Sequence, residues 1–197
     1  MEIIPIQVHG AWRLGWTLDV HTVSSEFLGD DQNGHPQFKT TRSPLGELLY
    51  QLKYRSQRTA AAQVATVIAE FLADKPIALS RINVIAPMPP STVRQVQPVA
   101  EIAKALGKKL KKPVVIDAIK KTRETPGLKD IHDHEERREL LDGAFEADSD
   151  VVKDKGVLLL DDLYRSGATA NAVTLALIAA GASRVYFLAA TRTRSNA

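Results

Sequence analysis

The chain of 197 residues is long enough to bury one sizeable core, and a hydrophobic share of 44% with 25% charged residues is that of an ordinary globular domain. Cysteine is absent, which removes disulfides, cysteine nucleophiles and Cys-ligated zinc, while a net charge of +3 suits phosphate-bearing ligands and nucleic acid alike. No apolar run approaches the roughly 20 residues of a membrane span, and Met1-Glu2-Ile3-Ile4-Pro5 lacks the basic start and apolar stretch of a leader, so the cytoplasm is the expected location.

Residues 1–42 read as an N-terminal β-hairpin extension. The alternating stretch 11–23 is one expected strand, the turn formers of 29–36 break it, and Phe38-Lys39-Thr40 return as the second, with Trp12 and Trp16 packing the hairpin. His9, His21 and His35 have structural or surface roles in this reading. The main domain, 43–197, opens with a helix: Ser43 stands as N-cap, Pro44 takes the first helical position, and Leu45, Leu48, Leu49 and Leu52 share one face. A second helix spans about 59–73, and the apolar run 82–86 is a buried strand stopped by Pro87-Met88-Pro89-Pro90. A third helix over about 93–109 ends in lysines that suit a helix C-terminus and form a solvated end.

Residues 114–116 are a candidate strand, and the polar stretch 120–138 reads as a loop in its first half. His132-Asp133-His134 invites a metal, but the spacing lacks the i, i+4 geometry that makes two imidazoles converge. The run 156–161 is a parallel strand covered on both faces, a helix follows over about 168–180 closed by Gly181, and 184–190 is the next strand. Strand, helix and strand in this order form a right-handed βαβ unit, so the fold class is α/β, a doubly wound, mostly parallel Rossmann-like sheet with flanking helices.

Ligands of such sheets bind beyond the C-terminal ends of the strands, the position held here by Asp161, Asp162, Leu163, Tyr164, Arg165, Ser166, Gly167, Ala168 and Thr169. The loop runs into a helix start, whose free N–H groups and dipole favour an anion. Gly167 lets backbone approach a phosphate closely, and the Ser166 and Thr169 hydroxyls can donate to it or cap the helix. Two carboxylates would repel a phosphate at contact distance, so they need another partner. Vicinal ribose hydroxyls, with Mg²⁺ nearby through water, are partners of the right chemistry, and a sugar phosphate satisfies both halves of the segment.

The run from Val157 to Thr169, four apolar residues, two acids, an apolar residue and a closing Ser-Gly-Ala-Thr, resembles the phosphoribosyl pyrophosphate (PRPP) signature of type I phosphoribosyltransferases. The resemblance implies that Asp161 and Asp162 contact the ribose hydroxyls and that 164–169 wrap the 5′-phosphate; Arg165 stands where a hydroxyl residue is commoner. It extends over about 43–192 toward the branch related to ComF competence proteins: Leu52-Lys53-Tyr54-Arg55 is similar to that branch's Leu-Lys-Tyr-Arg segment, 87–94 lies where its pyrophosphate loop begins, and Arg123 with Thr125-Pro126 resembles the start of its flexible loop. The branch's Arg-Gly-Phe-Asn-Gln after Pro90 and its Cys-rich N-terminal ribbon are absent.

The resemblance implies an enzyme that displaces pyrophosphate from C1 of PRPP by a nucleobase-like nitrogen acceptor, through an oxocarbenium-like transition state and without a covalent intermediate. Mg²⁺ would enter with PRPP rather than on a direct protein site. Lys53, Arg55 and Arg94 would neutralise the pyrophosphate, residues 1–42 would form a hood, the 121–136 loop would close to exclude water, and a homodimer is compatible with the class. Two alternatives belong to other classes. One is a regulatory protein that senses PRPP or nucleotides without turnover; the other is a ComF-like accessory factor in DNA uptake, with weak nucleic-acid association, although no aromatic is interleaved with the cations to stack on bases.

Overall fold

The computed structural model describes residues 1–92, 94–123 and 140–194. Nine strands appear among them: β1 (Ile6–Gln7), β2 (Leu14–Val20), β3 (Thr22–Asp30), β4 (Pro36–Arg42), β5 (Val84–Pro87), β6 (Ile119–Lys121), β7 (Phe145–Ala147), β8 (Gly156–Tyr164) and β9 (Arg184–Arg192). The helices are α1 (Pro44–Tyr54), α2 (Thr59–Ala73), α3 (Pro76–Arg81), α4 (Pro98–Leu110), α5 (Ser149–Val152) and α6 (Ala168–Ala179). The central sheet has the order β1-β2-β9-β8-β5, and only β1 runs antiparallel to its neighbour. Two small antiparallel ribbons, β3–β4 and β6–β7, stand outside it.

The apolar run of β8 explains why the sheet is covered twice. Leu158 and Leu160 face a core built with α1, α2 and α4, while Val157 and Leu159 face a second core shared with Val173 and Leu177 of α6. All four are fully buried. Complete burial of such a side chain stabilises by roughly 1.5–3 kcal/mol, so this one strand ties both layers together.

The alternating stretch at 11–23 is not a hairpin arm. Its first part, β2, lies in the central sheet parallel to β9, with Leu14 opposite Tyr186 and Val20 opposite Arg192. Alternation suggests one wet face, yet Thr17 and Asp19 are buried as well as Trp16 and Leu18. Trp16 meets Phe71 of α2 edge-on at 5.8 Å and Trp12 stacks on Phe187 at 4.6 Å, so one ring packs each of the two cores rather than a hairpin. The hairpin itself begins after His21 and is made by β3 and β4, joined across the expected turn cluster, with Phe27 opposite Phe38.

Ser43 caps α1 as expected, its Oγ accepting from the Gly46 amide at 3.0 Å and donating to the Val20 carbonyl at 2.6 Å, which fastens the helix start to the end of β2. The third expected helix starts later than 93, at Pro98. A residue preceding proline is pushed out of the helical region, and Gln97 has φ −94° and ψ 104°. The strand expected at 114–116 reduces to a parallel bridge between Val114 and Ile85, closed by hydrogen bonds of 2.9 Å from Ile85 N to the Pro113 carbonyl and from Val115 N to the Ile85 carbonyl. Thr125, Pro126, Gly127 and the His132-Asp133-His134 group lie outside the described residues. Among the described residues no helix is long and apolar enough to cross a membrane.

Candidate functional site

Parallel pairing brings the C-terminal ends of β2, β9, β8 and β5 to one edge of the sheet, and the acid pair is delivered there by β8. Asp161 lies opposite Ala189, and Leu163 opposite Thr191. The first five residues of β8 are buried and the last four partly exposed, so the strand leaves the core where the carboxylates begin. The Asp162 amide donates to Asp161 Oδ1 at 2.8 Å. Burial of the Asp161 carboxyl, and secondly the adjacent Asp162 carboxylate, push its pKa up to about 8, which favours its protonated form.

Lys53, in the last turn of α1, sets its Nζ 3.4 Å from Asp162 Oδ2, with the two side chains 25% and 16% exposed. This cation crosses from the helical layer to the acid pair, 109 residues away in the chain. Arg55 is the exposed C-cap of α1, its guanidinium 5.7 Å from the Tyr50 ring, against which Arg42 also stacks at 3.7 Å. Arg94 is half-buried in the segment after β5 and donates to the Thr92 carbonyl at 3.5 Å. Among the described residues no contact joins Arg55 or Arg94 to the acid pair.

Beyond β8 the chain turns through Tyr164, Arg165 and Ser166 to Gly167, the N-cap of α6, at φ 77°. That left-handed conformation favours glycine, and a Cβ there would stand 2.8 Å from Tyr164 Oη. The Tyr164 ring leans on Phe187 at 5.9 Å, and burial raises the pKa of its hydroxyl. Asn171 N donates to the Gly167 carbonyl at 2.8 Å and closes the first turn. Because glycine is the cap, no side chain occupies the first amides of α6. The Ser166 and Thr169 hydroxyls make no hydrogen bond among the described residues, so neither caps the helix and both are free to donate outward. Arg165 is exposed.

Two residues of this edge escape sequence reasoning. Thr191, at the end of β9 and fully buried, donates from Oγ1 to the Asp162 carbonyl at 2.9 Å. His21, just past β2, places Nδ1 3.2 Å from the same Oγ1. Burial is the largest influence on the imidazole and lowers its pKa; Asp162 opposes the shift, and the cations Arg42 and Lys53 add to it. Only the pairing of β2 with β9 brings His21 and Thr191 together across 170 residues, and no local motif marks it.

Among the described residues no group of three or more His, Cys, Asp or Glu could hold a metal ion. The acid pair matches the one or two carboxylates that Mg²⁺ uses beside substrate phosphates, and supplies no closed cage. A hollow of about 590 Å³ lined by Trp12, Arg13, Ile178 and Arg184 lies at the opposite end of the sheet, where β2 and β9 begin, and takes no part in this site.

No family model matches the chain, and no curated protein matches it. Solved structures do. A glutamine PRPP amidotransferase from B. subtilis, complexed with ADP and GMP, aligns over 81% of this chain with TM-score 0.52 and 18% identity. An allosteric regulatory enzyme of purine biosynthesis aligns over 81% with TM-score 0.49 and 19% identity. The chain spans 34% of the length of each of these two proteins. A hypoxanthine phosphoribosyltransferase from Staphylococcus aureus aligns over 65% of this chain and 62% of its own, with TM-score 0.38 and 13% identity. The likeness to the amidotransferase is one of fold: a mixed α/β domain around a mostly parallel sheet.

Proposed function

We propose that this chain binds PRPP at its acid pair and the following loop, and transfers phosphoribose to a nitrogen acceptor of the nucleobase class, in the manner of a ComF-like type I phosphoribosyltransferase. One observation carries the reading: two carboxylates leave the core at the end of β8 and are followed at once by an uncapped, left-handed glycine entry to a 12-residue helix. A ribose 5-phosphate is the ligand that needs hydroxyl acceptors and an anion cradle side by side.

In this reading Asp161 and Asp162 hold the vicinal ribose hydroxyls. A protonated Asp161 can donate to one hydroxyl while Asp162 accepts from the other, so the shared proton gives the pair complementary roles. The amides at the start of α6, together with the Ser166 and Thr169 hydroxyls, take the 5′-phosphate. Lys53 is the cation nearest the ribose carboxylates and would turn toward the pyrophosphate, with Arg55 and Arg94 supporting it. Mg²⁺ bound to PRPP would neutralise the pyrophosphate as it leaves C1.

One feature favours a second reading, a sensor without turnover: Lys53 is engaged by Asp162, and neither Arg55 nor Arg94 touches the acid pair among the described residues. A pyrophosphate-release assay with adenine, guanine, hypoxanthine, uracil and orotate separates the two. Release with any of them supports transfer. Saturable PRPP binding without release supports the sensor.

A further inference from the structure

The contact between His21 and Thr191 defines a tautomer. A threonine hydroxyl has one proton to give, and at 2.9 Å that proton goes to the Asp162 carbonyl, which can only accept. The 3.2 Å approach of His21 Nδ1 to the same oxygen is then a hydrogen bond only if Nδ1 carries a proton and donates it. A neutral imidazole protonated on Nδ1 presents a bare lone pair at Nε2, and Nε2 has no partner among the described residues.

The backbone of His21 is held as firmly as its ring. Its amide donates to the Arg192 carbonyl at 2.8 Å, its carbonyl accepts from Ser43 N at 3.4 Å, and Gly46 fits flush against that carbonyl where a Cβ would collide. A part-buried imidazole thus follows β2 and is tied to Thr191 of β9, whose hydroxyl reaches the Asp162 carbonyl on β8, at the edge where the site opens, with an unused acceptor nitrogen. The charged groups around it are Asp162 on β8, Lys53 on α1 and Arg42 on β4.

We propose that His21, its Nδ1–H tied to Thr191, is the base that takes the proton shed by the nitrogen acceptor through Nε2. The inference rests on the transferase reading above. In the step, the acceptor nitrogen's lone pair forms the bond to C1 as the bond from C1 to the pyrophosphate oxygen breaks. Pyrophosphate leaves with that electron pair, and the proton lost by nitrogen ends on Nε2. Burial, against the pull of Asp162 and with the help of the two cations, lowers the pKa of the ring and so favours the unprotonated form that a base requires.

The test compares wild type with His21→Asn, whose side-chain amide can still donate to Thr191 Oγ1 but has no basic nitrogen. Mg²⁺–PRPP affinity is measured by calorimetry, and pyrophosphate release is followed against pH with the five bases named above. The expected result is unchanged PRPP affinity, a fall in kcat of about a hundredfold with KM little altered, and loss of an acid limb lying below the ordinary histidine range. Equal kcat in the two proteins, or a loss confined to PRPP affinity, overturns the assignment to His21 and leaves the transferase reading standing. PRPP binding with no release from any base removes the role of base and keeps the binding site. Failure of wild type to bind PRPP sinks the site reading itself. Should the variant not fold, ¹⁵N spectra of wild-type His21 decide: the proton belongs on Nδ1, and a proton on Nε2 contradicts the proposal.

Discussion

Among the described residues, Asp161 is the one whose titration the fold alters most. Burial and the neighbouring Asp162 raise its pKa to about 8, so the folded protein prefers the protonated carboxyl. Below the ordinary carboxylate range near 3.8 folded and unfolded chains both hold that proton, and the balance is unaffected. As pH rises from there toward 8 the unfolded chain ionises freely and the folded one does not, so stability is progressively lost. Asp161→Asn should therefore match wild type in Tm near pH 4 and exceed it by a growing margin up to about pH 8, levelling off above. A constant margin across that range would show that Asp161 is already ionised. Gly167 makes a second, steric prediction: Gly167→Ala forces a Cβ into a left-handed position against Tyr164, which costs about 1–2 kcal/mol and distorts the start of α6. Urea unfolding reads the first effect and phosphate affinity the second.

The hairpin and the sheet-end contacts show how far the elements could be read from the chain. The segment 156–169 was legible because strand, acids, glycine and helix follow one another locally. His21 and Thr191 were not, since their meeting depends on a parallel pairing between the two ends of the chain. The β2 stretch misled for a related reason: Thr17 and Asp19 look like a wet face, but their partners are Arg192, whose Nη1 lies 3.3 Å from Thr17 Oγ1, and the Val20 amide, which donates to Asp19 Oδ1 at 2.8 Å. The ribbon β3–β4 is exposed along nearly its whole length, with Phe27 and Phe38 resting on each other at 5.5 Å, and contributes little to the core. Replacing residues 25–40 by an Asn-Gly turn should shift Tm by less than about 4 °C. A drop beyond about 10 °C would place the ribbon within the cooperative unit.

For the whole molecule, the two cores on either face of the sheet hold the four parallel strand ends along one edge, and that edge carries the acid pair, the free helix start, Lys53 and His21. In the proposed function a sugar phosphate sits there. Calorimetric titration of PRPP with Mg²⁺ into wild type and Asp162→Asn tests this most directly. The account predicts saturable binding by wild type and affinity at least about tenfold weaker in the variant, the loss of about one charge-assisted hydrogen bond. Equal affinity in the two proteins, or no binding by wild type, would contradict it.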